Sequence, residues 1–113
     1  MHELALAESM LAVVEETARR HGADCVKAIR LEIGALASVE TEALRFCLDA
    51  VTRGSIAEAA RLEIIVTPGE AWCMPCGERV PLAALGDACP TCGSYQLQVA
   101  RGDAMRVKDI EIA

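Results

Sequence analysis

Four of the six cysteines form two Cys-x-x-Cys pairs that a short segment separates. The first pair is Cys73 and Cys76, and the second is Cys89 and Cys92. Two intervening residues let both sulfurs of a pair reach one ion from a tight turn, and a second pair completes a tetrahedron around it. A glycine follows each pair, where a left-handed backbone can turn N–H groups toward the thiolates. The pattern predicts a structural zinc site, because four thiolates leave no open coordination position.

The first pair also matches the sequence of a redox motif. Residues 72–76, "WCMPC", match the W-C-x-P-C active site of thioredoxin-like oxidoreductases. Such a pair opens a long helix after a core strand and needs no second pair nearby. Gly77 and Pro81 disfavour that helix here, so zinc is favoured over redox chemistry. Cys25 and Cys47 lie outside the pattern, and we expect both to be small buried apolar side chains.

The first three residues, Met1, His2 and Glu3, are a second concentration of possible ligands. The α-amine, the His2 amide nitrogen and the imidazole can close adjacent chelate rings, an arrangement that Ni(II) and Cu(II) favour. The amine has a reference pKa of roughly 7.7–8.0, so a metal ion competes with protons near neutrality. For this motif alone a purely structural interpretation is favoured, because any second residue can be histidine and a carboxylate near a helix N-terminus complements the helix dipole.

Hydrophobic periodicity predicts the elements that position these residues. Leu4, Ala7, Leu11, Val14 and Ala18 recur at helical spacing, and Gly22 is the expected C-cap. The predicted helices are 4–20 and 38–54, and the predicted strands are 27–34, 61–68 and 104–112. A strand, a helix and another strand in succession indicate a parallel crossover unit. The alternation in the last strand slips between Val107 and Ile110, which predicts a bulge or bend there.

The segment between the second and third strands has a different composition, with the two cysteine pairs and most of the prolines and glycines. The predicted fold class is therefore α+β: a small body of two helices on a three-stranded mixed sheet, with an inserted zinc-ribbon module. The predicted domain boundaries are 1–67 plus 103–113 for the α/β body and 68–102 for the zinc ribbon.

Composition and charge exclude several classes of function. The net charge is −6, and Phe46, Trp72 and Tyr95 are the only aromatic residues, which disfavours nucleic acid as a partner. No apolar run reaches the ~18 residues that a membrane helix needs, so no membrane association is predicted. Acidic residues interrupt the apolar start, which argues against a secretory signal. We therefore expect a cytoplasmic protein, in which clustered cysteines bind metal more often than they form disulfides.

The chain as a whole resembles the HypA/HybF family, whose members deliver nickel during the maturation of [NiFe]-hydrogenase. The similar segments are "MHELALAES", "RLEIGALASVE", "LEIIVTPGEAWC", "CPTCGS" and "KDIEIA". The resemblance implies a nickel metallochaperone rather than an enzyme, with Ni(II) as transferred cargo and Zn(II) as a structural cofactor. It also implies the family's partners: the GTPase HypB, the [NiFe]-hydrogenase large subunit and, for some members, urease maturation proteins.

The resemblance assigns metal ligands residue by residue. Nickel binding carries over to the Met1 amine, His2 and Glu3, and Glu40 matches an acidic position near the family's nickel site. The four cysteines of the two pairs match the family's zinc ligands, and the α/β body becomes the nickel-binding part. An exposed site at a chain terminus suits a protein that must release its cargo, so we expect micromolar affinity, about −8 kcal/mol.

Two other functions are compatible with the residues alone. The first is a zinc-ribbon adaptor that binds another protein or RNA and has no role with nickel. The second is a thiol oxidoreductase, which would be active without zinc. Nickel binding that His2→Ala abolishes would exclude the adaptor, and an inactive zinc-free protein would exclude the oxidoreductase.

Overall fold

The structure is a computed structural model that describes residues 2–113. These residues form two helices, α1 (Glu3–Arg20) and α2 (Thr41–Val51). They also form six strands, which are β1 (Val26–Gly34), β2 (Arg61–Thr67), β3 (Gly69–Cys73), β4 (Glu78–Leu82), β5 (Leu97–Arg101) and β6 (Met105–Ile112). The strands make two three-stranded sheets, with the orders β2-β1-β6 and β4-β3-β5.

The first sheet is mixed, as predicted. The N–H of Ala35 donates to the carbonyl of Thr67 at 2.8 Å, so β1 and β2 end at the same edge and run parallel. The N–H of Gly34 donates to Ala104, and the N–H of Ala113 donates to Cys25, so β6 is antiparallel to β1. Helix α2 connects the two parallel strands, which is the crossover that parallel neighbours require. The predicted α+β fold class is therefore confirmed.

Helix α1 buries Ala7, Val14 and Ala18, which share one face at helical spacing. Leu4 was predicted on the same stripe but is 51% exposed, so the buried stripe begins one turn later. The helix ends with two arginines, followed by Gly22 with a φ of 69°. The predicted glycine cap is confirmed, because a left-handed residue at this position closes the last turn.

The chain divides into two compact units. The first contains the residues up to Leu31, Val39–Ile64 and Arg106–Ala113, and the second contains Glu32–Ser38 and Ile65–Met105. Both helices lie in the first unit, and the whole cysteine segment lies in the second. The packing boundary thus runs within strands β1, β2 and β6, whereas the functional boundaries at 67/68 and 102/103 stay a prediction.

Each unit has its own core. In the first, the fully buried side chains include Val14, Val26, Leu31 and Leu44. In the second, Leu36, Ala71 and Leu82 form one buried cluster, and Cys73, Val80 and Cys89 form another. The second core is small and includes two of the metal-binding candidates, Cys73 and Cys89.

The prediction that both isolated cysteines are buried is wrong for Cys25, which is exposed, while Cys47 is half-buried. Cys25 lies in the connection before β1, where the chain is still outside the core. Its carbonyl accepts the N–H of Ala113, so the backbone rather than the side chain supports the fold at this position.

Candidate metal centres

The two Cys-x-x-Cys pairs converge on one point in the second unit. Cys73 is the last residue of β3, Cys76 lies in the turn to β4, and Cys89 and Cys92 lie in the loop before β5. All four sulfurs lie within 4.8 Å of one another. Two of the separations join different pairs, at 3.6 Å for Cys73–Cys92 and 3.9 Å for Cys76–Cys89. A regular tetrahedron with metal–sulfur bonds of about 2.3 Å has sulfurs about 3.8 Å apart, so the cluster has the size of a single-ion site.

The same backbone turn presents each pair. Gly77 and Gly93 have φ values of 66° and 77°, which glycine adopts without steric cost. The N–H of Gly77 donates to the carbonyl of Cys73, and the N–H of Gly93 donates to the carbonyl of Cys89, both at 2.8 Å. The left-handed glycines predicted after each pair are therefore confirmed.

Backbone N–H groups also act on the sulfurs themselves. The N–H of Thr91 lies 3.4 Å from the Cys89 sulfur. The N–H of Cys92, together with that of Thr91, lowers the pKa of the Cys89 thiol to about 6, although burial opposes this. Burial raises the pKa of Cys73, and hydrogen bonding with the sulfurs of Cys92 and Cys73 raises that of Cys76.

These pKa directions describe what a metal ion must do at this site. One thiol is already inclined to ionise, while Cys73 and Cys76 hold their protons. Four thiolates so close together repel one another, and a divalent cation that binds them must displace protons. None of the six cysteines forms a disulfide, so the thiols are available as ligands.

The second candidate site lies where the two helices begin, in the first unit. His2 precedes α1, is exposed, and makes no side-chain hydrogen bond that caps the helix. Its carbonyl accepts the N–H of Leu6 at 2.9 Å, which starts the helical hydrogen bonding. Met1, the other proposed nitrogen ligand, lies outside the described residues.

A hydrogen bond joins Glu3 to Glu40, although 37 residues separate them. The Glu3 carboxylate accepts the backbone N–H of Glu40 at 3.0 Å. The Glu40 carboxylate in turn accepts the N–H of Glu42 at 3.0 Å and so caps α2. Both carboxylates lie at helix N-termini, where the positive ends of the dipoles favour negative charge. The Glu40 N–H is the main cause that lowers the pKa of Glu3 to about 2.

The structure thus places three of the four proposed nickel residues in one region and leaves Met1 undescribed. Glu3 is linked to Glu40, and His2 is the neighbour of Glu3 in sequence. Sequence reasoning assigned Glu3 to the dipole of α1 but missed its bond to the start of α2. Nothing in the local pattern indicates that bond, because it depends on how the helices pack.

Two further observations concern other metal-binding groups and membrane-spanning helices. Among residues 2–113, the four cysteines are the only group of three or more His, Cys, Asp or Glu side chains placed to hold one ion. In the same residues, no helix combines the length and the apolar character that crossing a bilayer requires.

Comparison with known proteins shows the family to which the chain is similar. The family model described as "Hydrogenase/urease nickel incorporation, metallochaperone, hypA" matches residues 1–112. The hydrogenase maturation factor HypA of Dechloromonas aromatica (strain RCB) is 60% identical over 112 residues, which is 99% of each chain. Its counterpart in Azotobacter chroococcum mcd 1 is 54% identical over the same extent.

The fold also matches a solved structure, the solution structure of the Ni metallochaperone HypA from Helicobacter pylori. The TM-score is 0.73 over 99% of this chain and 97% of that one, at 24% identity, so this likeness supports the fold alone. The family model and the relatives extend across almost the entire chain, and the protein therefore belongs to the HypA family of hydrogenase maturation factors.

Proposed function

We propose that this protein is a nickel metallochaperone that binds Ni(II) at its N-terminus and delivers it to the [NiFe]-hydrogenase large subunit with the GTPase HypB. The observation that carries the proposal is the arrangement at the start of α1. His2 is exposed and its side chain makes no capping hydrogen bond, and it is next to a carboxylate that is already ionised over the physiological pH range. An exposed imidazole beside a carboxylate offers ligands that Ni(II) accepts.

The proposed nickel ligands are the Met1 amine, the amide and imidazole of His2, and Glu3, with Glu40 as a further carboxylate. The hydrogen bond from the Glu40 N–H to the Glu3 carboxylate supports a site where the starts of the two helices lie together before metal arrives. The side chains of His2, Glu3 and Glu40 must then reorient to share one ion, because the structure does not group them for one. Exposure favours release, since water and a partner's ligands can replace the protein's ligands one at a time. A site that must pass its ion to another protein needs such stepwise ligand exchange.

We also propose that Cys73, Cys76, Cys89 and Cys92 hold a structural Zn(II). The separations of 3.6 and 3.9 Å between sulfurs of different pairs support one tetrahedral ion. The N–H donors at Cys89 support a thiolate site. When bound, zinc cross-links the two turns and exposes no coordination position for a substrate, so this centre supports a structural role and not an enzymatic one.

Family membership supports further proposals about partners, location and activity. We propose HypB and the hydrogenase large subunit as partners, with urease maturation proteins as a further class that the family description supports. We propose the cytoplasm as the location, which six unpaired cysteines support, because thiols stay reduced there. We propose no enzymatic activity, since a metallochaperone binds and transfers an ion without chemical conversion.

The test is a calorimetric nickel titration of untagged, reduced, zinc-loaded protein. We expect about one Ni(II) per chain with micromolar affinity, and we expect His2→Ala to lose it while keeping its zinc. His21→Ala is the matched control, because the other histidine lies at the end of α1 with its Nδ1 2.9 Å from the carbonyl of Thr17. Equal binding by wild type and His2→Ala would place nickel elsewhere, and no binding by either would favour a zinc-ribbon adaptor.

A further inference from the structure

The sheet of the second unit has one buried and one exposed face. In β3, Ala71 and Cys73 are buried, whereas Trp72 between them is 42% exposed. The strand register places Arg79 and Gln98 on either side of Trp72. Residues directly opposite each other in neighbouring strands share a face. The outer sheet face therefore consists of Glu70, Trp72, Arg79, Pro81, Gln98 and Arg101.

A β-bulge brings Arg101 to this face. Trp72 pairs with Gln98 and Ala71 with Val99, but Glu70 pairs with Arg101. In a regular ladder Ala100 would lie opposite Glu70, and Arg101 would be on the core side. Bulges turn side chains in this way and are frequent at functional surfaces. The extra residue gives the outer sheet face its second arginine.

The outer sheet face is the cationic region of an acidic unit. Arg79 and Arg101 are the only basic residues in Glu32–Ser38 and Ile65–Met105. Both approach the same oxygen of Glu70, at 3.6 and 3.5 Å. One carboxylate therefore faces two guanidinium groups, and one positive charge remains locally unbalanced. The side chains of Arg79 and Arg101 are 55% and 61% exposed, so another carboxylate can reach them.

The main apolar side chain of the outer sheet face is Trp72, the only tryptophan of the chain. Met74, which follows the metal ligand Cys73, is 63% exposed. Its N–H donates to the carbonyl of Gln96 at 3.0 Å, so Met74 continues the ladder beyond Trp72. Tryptophan and arginine dominate binding energy at protein interfaces, and methionine is also enriched there. Arginine in addition recognises carboxylates with two parallel hydrogen bonds.

We propose that the outer sheet face is a docking surface for an acidic segment of a partner protein. A carboxylate of that segment pairs with Arg79 or Arg101, and an apolar side chain covers Trp72. Nucleic acid fits the surface less well, because one tryptophan and two arginines that share a carboxylate are a small platform on a chain of net charge −6.

The experiment uses full-length, zinc-loaded protein and an array of 12-residue peptides that tile HypB and the hydrogenase large subunit. This choice of probe rests on the proposed function. We expect binding to concentrate on acidic segments with an aromatic or aliphatic residue. The strongest peptide, with any tryptophan of its own replaced by phenylalanine, is then titrated in solution, where Trp72 fluorescence reports contact directly because this chain has no other tryptophan.

Two variants and one matched control test the assignment. We expect Trp72→Ala, followed with a labelled peptide, to weaken binding about 30-fold, and Arg79→Glu with Arg101→Glu to abolish it. The control is Arg20→Glu with Arg53→Glu, which makes the same change in net charge at side chains that are 68% and 72% exposed in the first unit. The control should bind within about twofold of wild type. One zinc per chain in every variant shows that the ribbon has folded.

Several results would overturn the proposal. These are an array without acidic segments, equal binding by the Arg79/Arg101 variant and its control, or a single-stranded oligonucleotide that binds through Trp72 in place of peptide. Concentration-dependent dimerisation that the Arg79/Arg101 variant loses would identify a second copy of this chain as the occupant instead. Nickel titration of the same variants separates the two proposals, because docking can fail while the N-terminal site still binds one nickel.

Discussion

Removal of the proposed zinc should unfold the second unit and leave the first unit folded. The second unit has roughly 50 residues, and the core of so small a domain rarely supplies more than about 3–5 kcal/mol. Its buried aliphatic side chains are few, with Leu36, Ala71, Val80 and Leu82 as the main ones. Structural zinc on such ligands contributes an apparent 10–16 kcal/mol at about pH 7. The ion therefore outweighs the core severalfold, and the metal-free unit should lose its fold.

Two optical signals separate the units. Trp72 lies in the second unit, and both helices lie in the first. In urea titrations of reduced protein, we expect a chelator to abolish the cooperative transition in Trp72 fluorescence while ellipticity at 222 nm still shows one. Cys89→Ser should act like the chelator, because Cys89 is only 3% exposed and its sulfur belongs to the cluster. Cys47→Ser, outside the cluster, is the matched control and should retain zinc and both transitions.

The refuting results are specific. If the chelated protein keeps a cooperative Trp72 transition at an unchanged midpoint, the apolar core is sufficient and the comparison of magnitudes is wrong. If both signals disappear together, the first unit depends on the second. Retention of one zinc by Cys89→Ser would show that the four sulfurs are not all required.

Three further predictions concern the chain's carboxylates and glycines. Gly34→Ala should lower the free energy of unfolding, measured in urea, by about 1–3 kcal/mol. The new methyl group would overlap the backbone carbonyl of Gly102, which cannot rotate away. A loss below about 0.5 kcal/mol would contradict this prediction. Glu40→Ala should lower the free energy of unfolding by about 0.5–1 kcal/mol, because it removes the side-chain cap of α2. Glu40→Asp keeps a capping carboxylate and should lower it less. The Glu40 N–H lowers the pKa of Glu3 from its ordinary value of 4.5 to about 2. The contribution of Glu3 to stability is therefore complete above pH 4.5 and is lost as the pH falls from there toward 2. Glu3→Gln should therefore flatten the acid side of a stability–pH curve measured at 222 nm without nickel, and an unchanged curve would remove this role.

The convergence of the four cysteines could be predicted because the information for it is local. Two residues between cysteines and a glycine after each pair fix the turn, and the left-handed φ values of Gly77 and Gly93 follow from chemistry within a few residues. The slip in the last strand is also local. Lys108 and Asp109 are both exposed, which interrupts the alternation at the predicted position, and Asp109 pairs with Arg30 at 2.5 Å.

The limits of prediction lie where packing decides. Helix α2 was predicted over 38–54 but spans Thr41–Val51, because Glu40 caps it and the Thr52 hydroxyl donates to the carbonyl of Leu48 at 2.7 Å near its end. A capping glutamate is uncommon, so the pattern gave no signal for it. The bond from Glu3 to Glu40 and the outer sheet face are likewise absent from any short window of sequence. They follow from the arrangement of elements that are far apart in the chain.

Trp72 and Cys73 are consecutive residues of β3 that face opposite sides of the sheet. If the cysteine face binds a metal ion and the tryptophan face binds a partner, both ligands act on one strand, and the two equilibria are thermodynamically linked wherever the metal orders that strand for the partner. Reciprocity then requires that a partner tighten the hold on the metal by the same factor by which the metal tightens the hold on the partner. The complex would then keep its zinc at chelator concentrations that remove zinc from the free protein. The zinc ribbon would stay folded while the proposed nickel transfer takes place at the other unit.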